Sequence, residues 1–248
     1  MSKTIIYQSP HKTVYVENGM TVKLFDNSFP TPNILNEALN QARAEESGLN
    51  IPKVREVTKI DGKWAILMDY VEGKNLAQLM EENPQKIEEY LDLMVDLQTE
   101  MHEKSVQLLP RLKDKMLYKI SQTSFDDGVK YELQMRLESM PKHSKLCHGD
   151  FTPGNIMITP QGEVYLIDWS HATQGNAALD VARTYLTFCL ENKTEIAERY
   201  LDKFCQKTDT KKEYVQRLLP VVAASQSVKD KPEELALLAK WVDVIEYQ

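Results

Sequence analysis

Asp150, Asn155 and Asp168 have the types and the spacing of a site that takes up a proton and holds a metal ion. Asp150 follows His148 and Gly149, Asn155 comes five positions later, and Asp168 comes 18 positions after Asp150. Phosphoryl transfer from a nucleotide needs a carboxylate that receives the proton of the attacking hydroxyl, and hard oxygen ligands that hold Mg²⁺ against the phosphates. We therefore predict that Asp150 is the catalytic base and that Asn155 and Asp168 are the magnesium ligands.

Two short apolar runs separate Asn155 from Asp168. Residues 156–158 and 164–167 are strand-like, and the turn-forming sequence Pro-Gln-Gly at 160–162 lies between them. Such a pattern predicts a β-hairpin. The hairpin would bring Asn155 and Asp168 together at its open end.

The same spacing occurs in protein kinases, where His-Arg-Asp is followed by Asn five positions after the Asp and then by Asp-Phe-Gly. Here the corresponding residues are His148-Gly-Asp150, Asn155 and Asp168-Trp169. These residues resemble the signature of the aminoglycoside phosphotransferase and choline kinase superfamily, whose fold is protein-kinase-like. Trp169 in place of Phe-Gly is common in that family and favours a small-molecule acceptor over a protein.

The resemblance implies further site residues. Lys23, on the third strand, would hold the α- and β-phosphates, and Glu37, on the following helix, would fix its direction by an ion pair. The backbone of Tyr70 and Val71 would meet the adenine edge of the nucleotide. Asp180, at the start of a helix behind the catalytic loop, would be structural.

The segment Gln8–Lys12 departs from the expected pattern. By the resemblance it should cover the nucleotide phosphates, yet it contains no glycine, and glycine permits close approach of the backbone to phosphate. This departure supports an alternative function, that of a non-catalytic, kinase-like nucleotide-binding or regulatory protein. A metal-dependent hydrolase with His148, Asp150 and Asp168 as ligands is a weaker alternative, because no second histidine has metal-ligand spacing.

Ordinary structural explanations stay open for the individual residues. Asp150 and Asp168 are also the type of residue that caps hairpin ends. Lys23 has the pattern of an edge-strand lysine that faces solvent. Glu37 shares its helix with Glu45, and glutamates are common on solvated helix faces.

The order of elements indicates an α+β fold with two lobes. Five strands and one helix are predicted before residue 70, with hairpin turns at Asn18-Gly19 and Asp61-Gly62, which suit positive φ angles. Asn33 should cap the helix, which should end by Gly48. Residues 1–70 would form an N-terminal nucleotide-binding lobe, an antiparallel sheet with one helix.

Residues 71–248 would form a mainly helical lobe that carries the catalytic loop and the acceptor site. A β interruption is predicted at residues 145–168. Apolar residues at helical spacing predict the following helices: 87–101, 178–190, 194–207, 211–223 and 232–247.

Composition and charge restrict the function class. The chain has 248 residues, 42% hydrophobic and 27% charged, as in ordinary folded proteins. A net charge of −7 argues against a nucleic-acid partner. Three scattered cysteines and the lack of a run of roughly 20 apolar residues argue against a disulfide framework and a membrane span, so a cytoplasmic location is expected.

The expected reaction transfers the γ-phosphate of ATP or GTP to a hydroxyl of a small polar molecule. By the resemblance, this acceptor is aminoglycoside-like, an amino alcohol or sugar-like. Acidic side chains after residue 178 would suit a polyamine, but basic side chains alternate with them. The sequence therefore leaves the acceptor, the nucleotide base and the oligomeric state open.

Overall fold

The structure is a computed structural model that describes residues 3–229 and 231–242. The described chain divides into two compact units, neither of which is continuous in sequence. The first unit extends to Pro84 and also includes Val106–Leu108 and Pro153–Ala172, and the second contains the remaining described residues. The functional division into residues 1–70 and 71–248 stays a prediction.

Strands dominate the first part of the described chain, and helices dominate the second part. The strands are β1 (Thr4–Gln8), β2 (Lys12–Glu17), β3 (Met20–Phe25), β4 (Val54–Ile60), β5 (Lys63–Asp69), β6 (Lys74–Asn75), β7 (Lys145–Cys147), β8 (Ile156–Ile158), β9 (Val164–Leu166) and β10 (Thr173–Gly175). The helices are α1 (Thr31–Glu45), α2 (Leu76–Glu82), α3 (Ile87–Glu103), α4 (Leu112–Ser121), α5 (Asp127–Glu138), α6 (Ala177–Leu190), α7 (Thr194–Thr208), α8 (Lys212–Gln216), α9 (Leu219–Ser227) and α10 (Pro232–Val242). The predicted five strands and one helix before residue 70 are confirmed.

The first unit is built on an antiparallel sheet of five strands in the order β1-β2-β3-β5-β4. Both predicted hairpin turns are present, with positive φ at Asn18 (53°), Gly19 (71°), Asp61 (50°) and Gly62 (78°). Turns with two positive φ angles match the twist of the strands they join. The turn at Asn18-Gly19 fixes the register of β2 against β3 and pairs Val14 with Lys23.

One face of this sheet packs against α1. Phe25, Ile66 and Met68 form a buried cluster with Ile34 and Ala38 of α1. Because side chains alternate along a strand, Lys23 lies on the same face of β3 as Phe25. Lys23 therefore projects from the face of the sheet that packs against α1.

The start of α1 corrects the sequence prediction. Asn33 was expected to cap the helix, but the helix begins at Thr31 after Pro30, and Pro32 lies in its first turn. Proline is tolerated there because the first amide groups of a helix have no intrahelical acceptor. The end is as predicted, since α1 stops at Glu45 and Gly48 has φ of 79°.

A second, three-stranded sheet, in the order β6-β8-β9, completes the first unit together with α2. The strands β8 and β9 pair antiparallel from Ile156↔Leu166 to Ile158↔Val164. The hairpin predicted between Asn155 and Asp168 is therefore confirmed.

The second unit is mainly helical and contains the two-stranded sheet β10-β7. Within this unit α9 packs against α4, α6 and α10, while α3 and α6 both pack against α7. The single helix predicted at 211–223 is wrong: α8 ends at Gln216 and α9 begins at Leu219, with Pro220 in its first turn. A proline at that position would break the hydrogen bonding of one continuous helix.

The last predicted helix, 232–247, is described as α10 as far as Val242, and the rest of that prediction lies outside the described residues. Among the described residues, no helix is both long and apolar enough to cross a membrane.

Candidate active site

Lys23 and Glu37 form a buried ion pair. The Lys23 Nζ lies 2.7 Å from Glu37 Oε1, and the two residues are 7% and 8% exposed. The fold explains the contact, because β3 directs the Lys23 side chain toward α1, the helix that carries Glu37. Lys23 is therefore not a solvent-facing lysine of an edge strand, and Glu37 is not a glutamate on a solvated helix face.

Asp168 completes this group of charges within the first unit. Its Oδ1 lies 3.1 Å from Lys23 Nζ, and its Oδ2 lies 3.8 Å from Lys12 Nζ. Burial alone would lower the pKa of Lys23, but the charges of Asp168 and Glu37 outweigh it and raise this pKa to about 12. Lys23 is therefore a permanent cation between two carboxylates.

The backbone of Asp168 is in the left-handed region, with φ of 61° and ψ of 65°. This conformation is uncommon for a residue other than glycine and is frequent at functional sites. The next residue, Trp169, is fully buried, and its Nε1 donates to the carbonyl oxygen of Leu166 at 3.0 Å. Asn40 of α1 donates to the carbonyl oxygen of Ser170 at 3.3 Å, so both flanks of Asp168 are held.

Asn155 lies at the same end of the β8–β9 hairpin as Asp168. The amide of Ile167 donates to the carbonyl oxygen of Asn155 at 2.9 Å, which sets Asn155 opposite the residue that precedes Asp168. An amide oxygen and a carboxylate are hard ligands of the kind that Mg²⁺ takes when phosphates and waters supply its other positions. These residues therefore fit a magnesium ion.

The turn between β1 and β2 brings a further cation to Asp168. The amide of Ser9 donates to the carbonyl oxygen of Lys12 at 2.9 Å, and the amide of Lys12 donates to Ser9 Oγ at 3.2 Å. Sequence reasoning missed Lys12, although a signal was present. The register set by Asn18-Gly19 pairs Val14 with Lys23, so Lys12, two residues before Val14, lies on the same face of the sheet as Lys23.

Tyr70 and Val71 lie directly after β5 and line a cavity of about 400 Å³. The rest of the lining comes from residues 49–53, 69, 72, 159, 161, 163 and 165 of the same unit. The contact of Tyr70 and Val71 with adenine stays a prediction.

Asp150 lies in the second unit, with its side chain 35% exposed. Its Oδ1 is 3.7 Å from a guanidinium nitrogen of Arg183, whose side chain is only 13% exposed. Arg183 was not singled out from the sequence, although it lies three residues after Asp180 and thus one helical turn along α6.

Asp180 anchors the backbone that precedes Asp150. Its carboxylate accepts hydrogen bonds from the amides of Gly149 at 2.7 Å and His148 at 3.3 Å, and His102 Nε2 lies 3.1 Å away. Burial would raise the pKa of Asp180, but the hydrogen bonds from His102 and Gly149 outweigh it and hold this pKa below its ordinary value. A buried, ionised Asp180 thus fixes the segment that presents Asp150.

Comparison with known structures identifies the fold. A thermostable mutant of aminoglycoside phosphotransferase APH(4)-Ia, in ternary complex with ADP and hygromycin B, aligns with a TM-score of 0.71 at 16% identity, over 98% of this chain and 92% of the other. A choline/ethanolamine kinase family protein from Mesorhizobium loti gives 0.65 at 14% identity, over 99% and 88%. Choline kinase LicA from Streptococcus pneumoniae gives 0.64 at 17% identity, over 98% and 92%. These likenesses confirm the predicted α+β, protein-kinase-like fold.

Sequence comparison supplies the family. A search of curated proteins gave no match. The model of the phosphotransferase enzyme family APH, by contrast, matches residues 11–215, which is most of the chain and includes Lys23, Asp150, Asn155 and Asp168. The chain therefore belongs to the APH phosphotransferase enzyme family.

Proposed function

We propose that this protein is a small-molecule kinase that transfers the γ-phosphate of ATP or GTP to a hydroxyl group of a small polar acceptor. The observation that carries the proposal is the chain of ion pairs from Glu37 through Lys23 to Asp168, built in the first unit of a chain that belongs to a phosphotransferase family. A buried lysine held between two carboxylates, one of them partly exposed, is suited to binding phosphate oxygens.

The residues of the first unit bind the nucleotide. Lys23 holds the α- and β-phosphates, and Glu37 keeps its ammonium in place. Asn155 and Asp168 hold Mg²⁺, which neutralises charge on the phosphates when bound. The backbone at Tyr70 and Val71 contacts the adenine or guanine edge.

Lys12 adds a phosphate contact to the predicted set. The segment Gln8–Lys12 has no glycine to bring backbone amides to a phosphate. Instead its turn brings the Lys12 ammonium to 3.8 Å from Asp168. A lysine at this place can hold a phosphate oxygen as a point charge, so the glycine-free turn is compatible with catalysis and gives no separate support to a non-catalytic protein.

Asp150 acts on the acceptor. Its carboxylate receives the proton of the acceptor hydroxyl, and the hydrogen bonds of Asp180 to His148 and Gly149 keep its backbone in place. Arg183, 3.7 Å from Asp150 Oδ1, orients the carboxylate. Each of these contacts lies within the second unit.

The related structures support the same class of reaction. APH(4)-Ia was crystallised with ADP and hygromycin B, and LicA is a choline kinase. LicA was also crystallised in complex with AMP. A cytoplasmic location remains a prediction from the sequence.

The substitution Asp150→Asn tests the base. Release of ADP from Mg-ATP would be followed with a panel of small hydroxylated acceptors, and the exposed Asp127→Asn would serve as the matched control. We expect turnover to fall by about 10²-fold or more in Asp150→Asn, with ATP affinity within a few-fold of the wild type, and no change in Asp127→Asn. Turnover that survives in Asp150→Asn would refute the assignment of the base.

A further inference from the structure

A buried glutamine lies at the end of a mostly apolar helix of the second unit. Residues 219–226 of α9 are all buried, and Gln226, in the last turn, is only 4% exposed. A buried side-chain amide costs free energy unless its oxygen and its nitrogen form hydrogen bonds. The partners of Gln226 therefore decide what this end of the helix holds.

Both ends of the Gln226 amide contact charged side chains. Its Oε1 accepts a hydrogen bond from Arg183 Nη1 on α6, and its Nε2 donates to Glu234 Oε2 on α10 at 2.8 Å. An arginine only donates and an ionised glutamate only accepts, so these two neighbours fix the orientation of the amide. A carboxylate in its place would be repelled by Glu234, and an ammonium would be repelled by Arg183.

Glu234 is itself held in place. Lys231 Nζ lies 2.7 Å from Glu234 Oε1, and the Glu234 side chain is only 14% exposed. Glu234 lies in the first turn of α10, where the helix dipole favours a negative charge. The Gln226 amide is therefore anchored on the side that does not contact Arg183.

The other side of the Arg183 guanidinium faces the proposed base. Arg183 Nη2 lies 3.7 Å from Asp150 Oδ1, while Nη1 donates to Gln226. The guanidinium is planar and rigid, so a contact that holds Nη1 also determines where Nη2 points. The position of Nη2 beside Asp150 therefore depends on Gln226.

We propose that Gln226 is a positioning residue for phosphoryl transfer, because it holds Arg183 in the place from which the guanidinium orients the Asp150 carboxylate. The inference rests on the proposed function, in which Asp150 is the base. In that step the acceptor oxygen bonds to the γ-phosphorus, its proton passes to Asp150, and the bond to the leaving nucleoside diphosphate breaks. A catalytic base is commonly oriented by a further group. Gln226 acts one contact further away, through Arg183.

Substitutions at Gln226 and Glu234 test this role. Gln226→Leu removes both hydrogen bonds of the amide, and Gln226→Glu places a carboxylate beside Glu234. The double variant Gln226→Glu/Glu234→Gln exchanges the donor and the acceptor between α9 and α10 and so restores both hydrogen bonds. The control is Tyr185→Phe on α6, which removes the hydrogen bond from Tyr185 Oη to Glu198 at 2.5 Å.

Release of ADP from Mg-ATP would be measured with water alone and with glycerol, glucose and choline, on variants shown to be folded by circular dichroism. A misplacement near 1 Å can slow a reaction by about 10²-fold, so we expect kcat to fall about ten- to a hundredfold in Gln226→Leu. The KM for Mg-ATP should stay unchanged, because the change acts on the base. Gln226→Glu should lose at least as much turnover, the double variant should recover most of it, and Tyr185→Phe should keep the wild-type kcat.

Two kinetic results would overturn the inference. One is a wild-type kcat in folded Gln226→Leu, which would reduce Gln226 to a structural link between helices. The other is a folded double variant that recovers no turnover, which would show that the restored hydrogen bonds do not position the base.

A stability measurement distinguishes failure of this inference from failure of the proposed function. Gln226→Leu and Asp150→Asn, alone and combined, would be compared by urea denaturation, which needs no acceptor. If Gln226 holds Arg183 beside Asp150, the two losses of stability should not be additive, and additive losses would overturn the inference. Non-additive losses in a wild type that releases no ADP with any probe would contradict the kinase and leave the coupling of Gln226 to Asp150.

Discussion

The ammonium of Lys23 lies 3.1 Å from the Asp168 carboxylate, although the two residues are 145 positions apart in the chain. This contact joins the third strand of the sheet to the end of the β8–β9 hairpin. Because Glu37 holds the same ammonium at 2.7 Å, the position of Lys23 depends on two carboxylates, and each can be tested separately.

Loss of the Lys23 cation alone should lower the free energy of unfolding more than loss of both members of the Lys23–Glu37 ion pair. Lys23→Met leaves Glu37 buried without its cation, so we expect the free energy of unfolding to fall by about 3–5 kcal/mol. The double variant Lys23→Met/Glu37→Gln should recover part of that loss in urea denaturation. Lys63→Met, which removes a lysine 3.7 Å from the exposed Asp26, is the control and should change little. An equal fall in the free energy of unfolding in the single and double variants would contradict a buried ion pair between Lys23 and Glu37.

Lys12 should strengthen nucleotide binding. Its side chain is about one quarter exposed and lies 3.8 Å from Asp168, so Lys12→Met should weaken ATP binding by about three- to tenfold, as expected for one phosphate contact at a partly exposed position. Calorimetric titration would measure the change. The exposed Lys59→Met is the control, and an unchanged affinity in Lys12→Met would exclude the contact.

The Asp180 carboxylate should contribute stability that is lost in acid. Its pKa is held below the ordinary value of 3.8, so its contribution is complete above about pH 4 and declines as pH falls through the lowered pKa. At pH 7 Asp180→Asn should reduce the free energy of unfolding by about 2–3 kcal/mol, because buried donors lose a charged acceptor. The difference from wild type, measured by denaturant titration, should narrow below pH 4. A difference independent of pH would contradict an ionised Asp180.

Lys115 and Lys119 of α4 should cost stability at neutral pH. Their pKa values are lowered to about 8 from 10.5, so the cost is present below pH 8 and is relieved as pH rises from about 8 to 10.5. After allowance for partial exposure, Lys115→Met and Lys119→Met should each raise the free energy of unfolding at pH 7 by about 1 kcal/mol. Lys113→Met, which removes an ion pair with Glu138, should give no gain. Destabilisation by both α4 substitutions would contradict the crowding of charge.

The turns and the hairpin could be predicted from the sequence because they depend on the conformational preferences of neighbouring residues. The turns at Asn18-Gly19 and Asp61-Gly62 were predictable because few residue pairs accept two positive φ angles. The β8–β9 hairpin was predictable from the two apolar runs on either side of Pro-Gln-Gly at residues 160–162. The start of α1 and the break between α8 and α9 were missed because a proline fits either a loop or the first turn of a helix, and position decides between them.

Long-range relationships were harder to predict. The pairing of Lys23 with Glu37 was expected only from the family resemblance, and the role of Lys12 required the register of β2 against β3.

Asp168 should bind the magnesium ion that accompanies the nucleotide phosphates. Titration of ATP and GTP by calorimetry, with and without Mg²⁺, tests this assignment in the wild type and in Asp168→Asn. Asparagine accepts the positive φ at this position, so the variant should fold. We predict magnesium-dependent nucleotide binding in the wild type and loss of the magnesium effect in Asp168→Asn. Failure of the wild type to bind either nucleotide would contradict the proposed nucleotide site, and a full magnesium effect in Asp168→Asn would contradict Asp168 as a magnesium ligand.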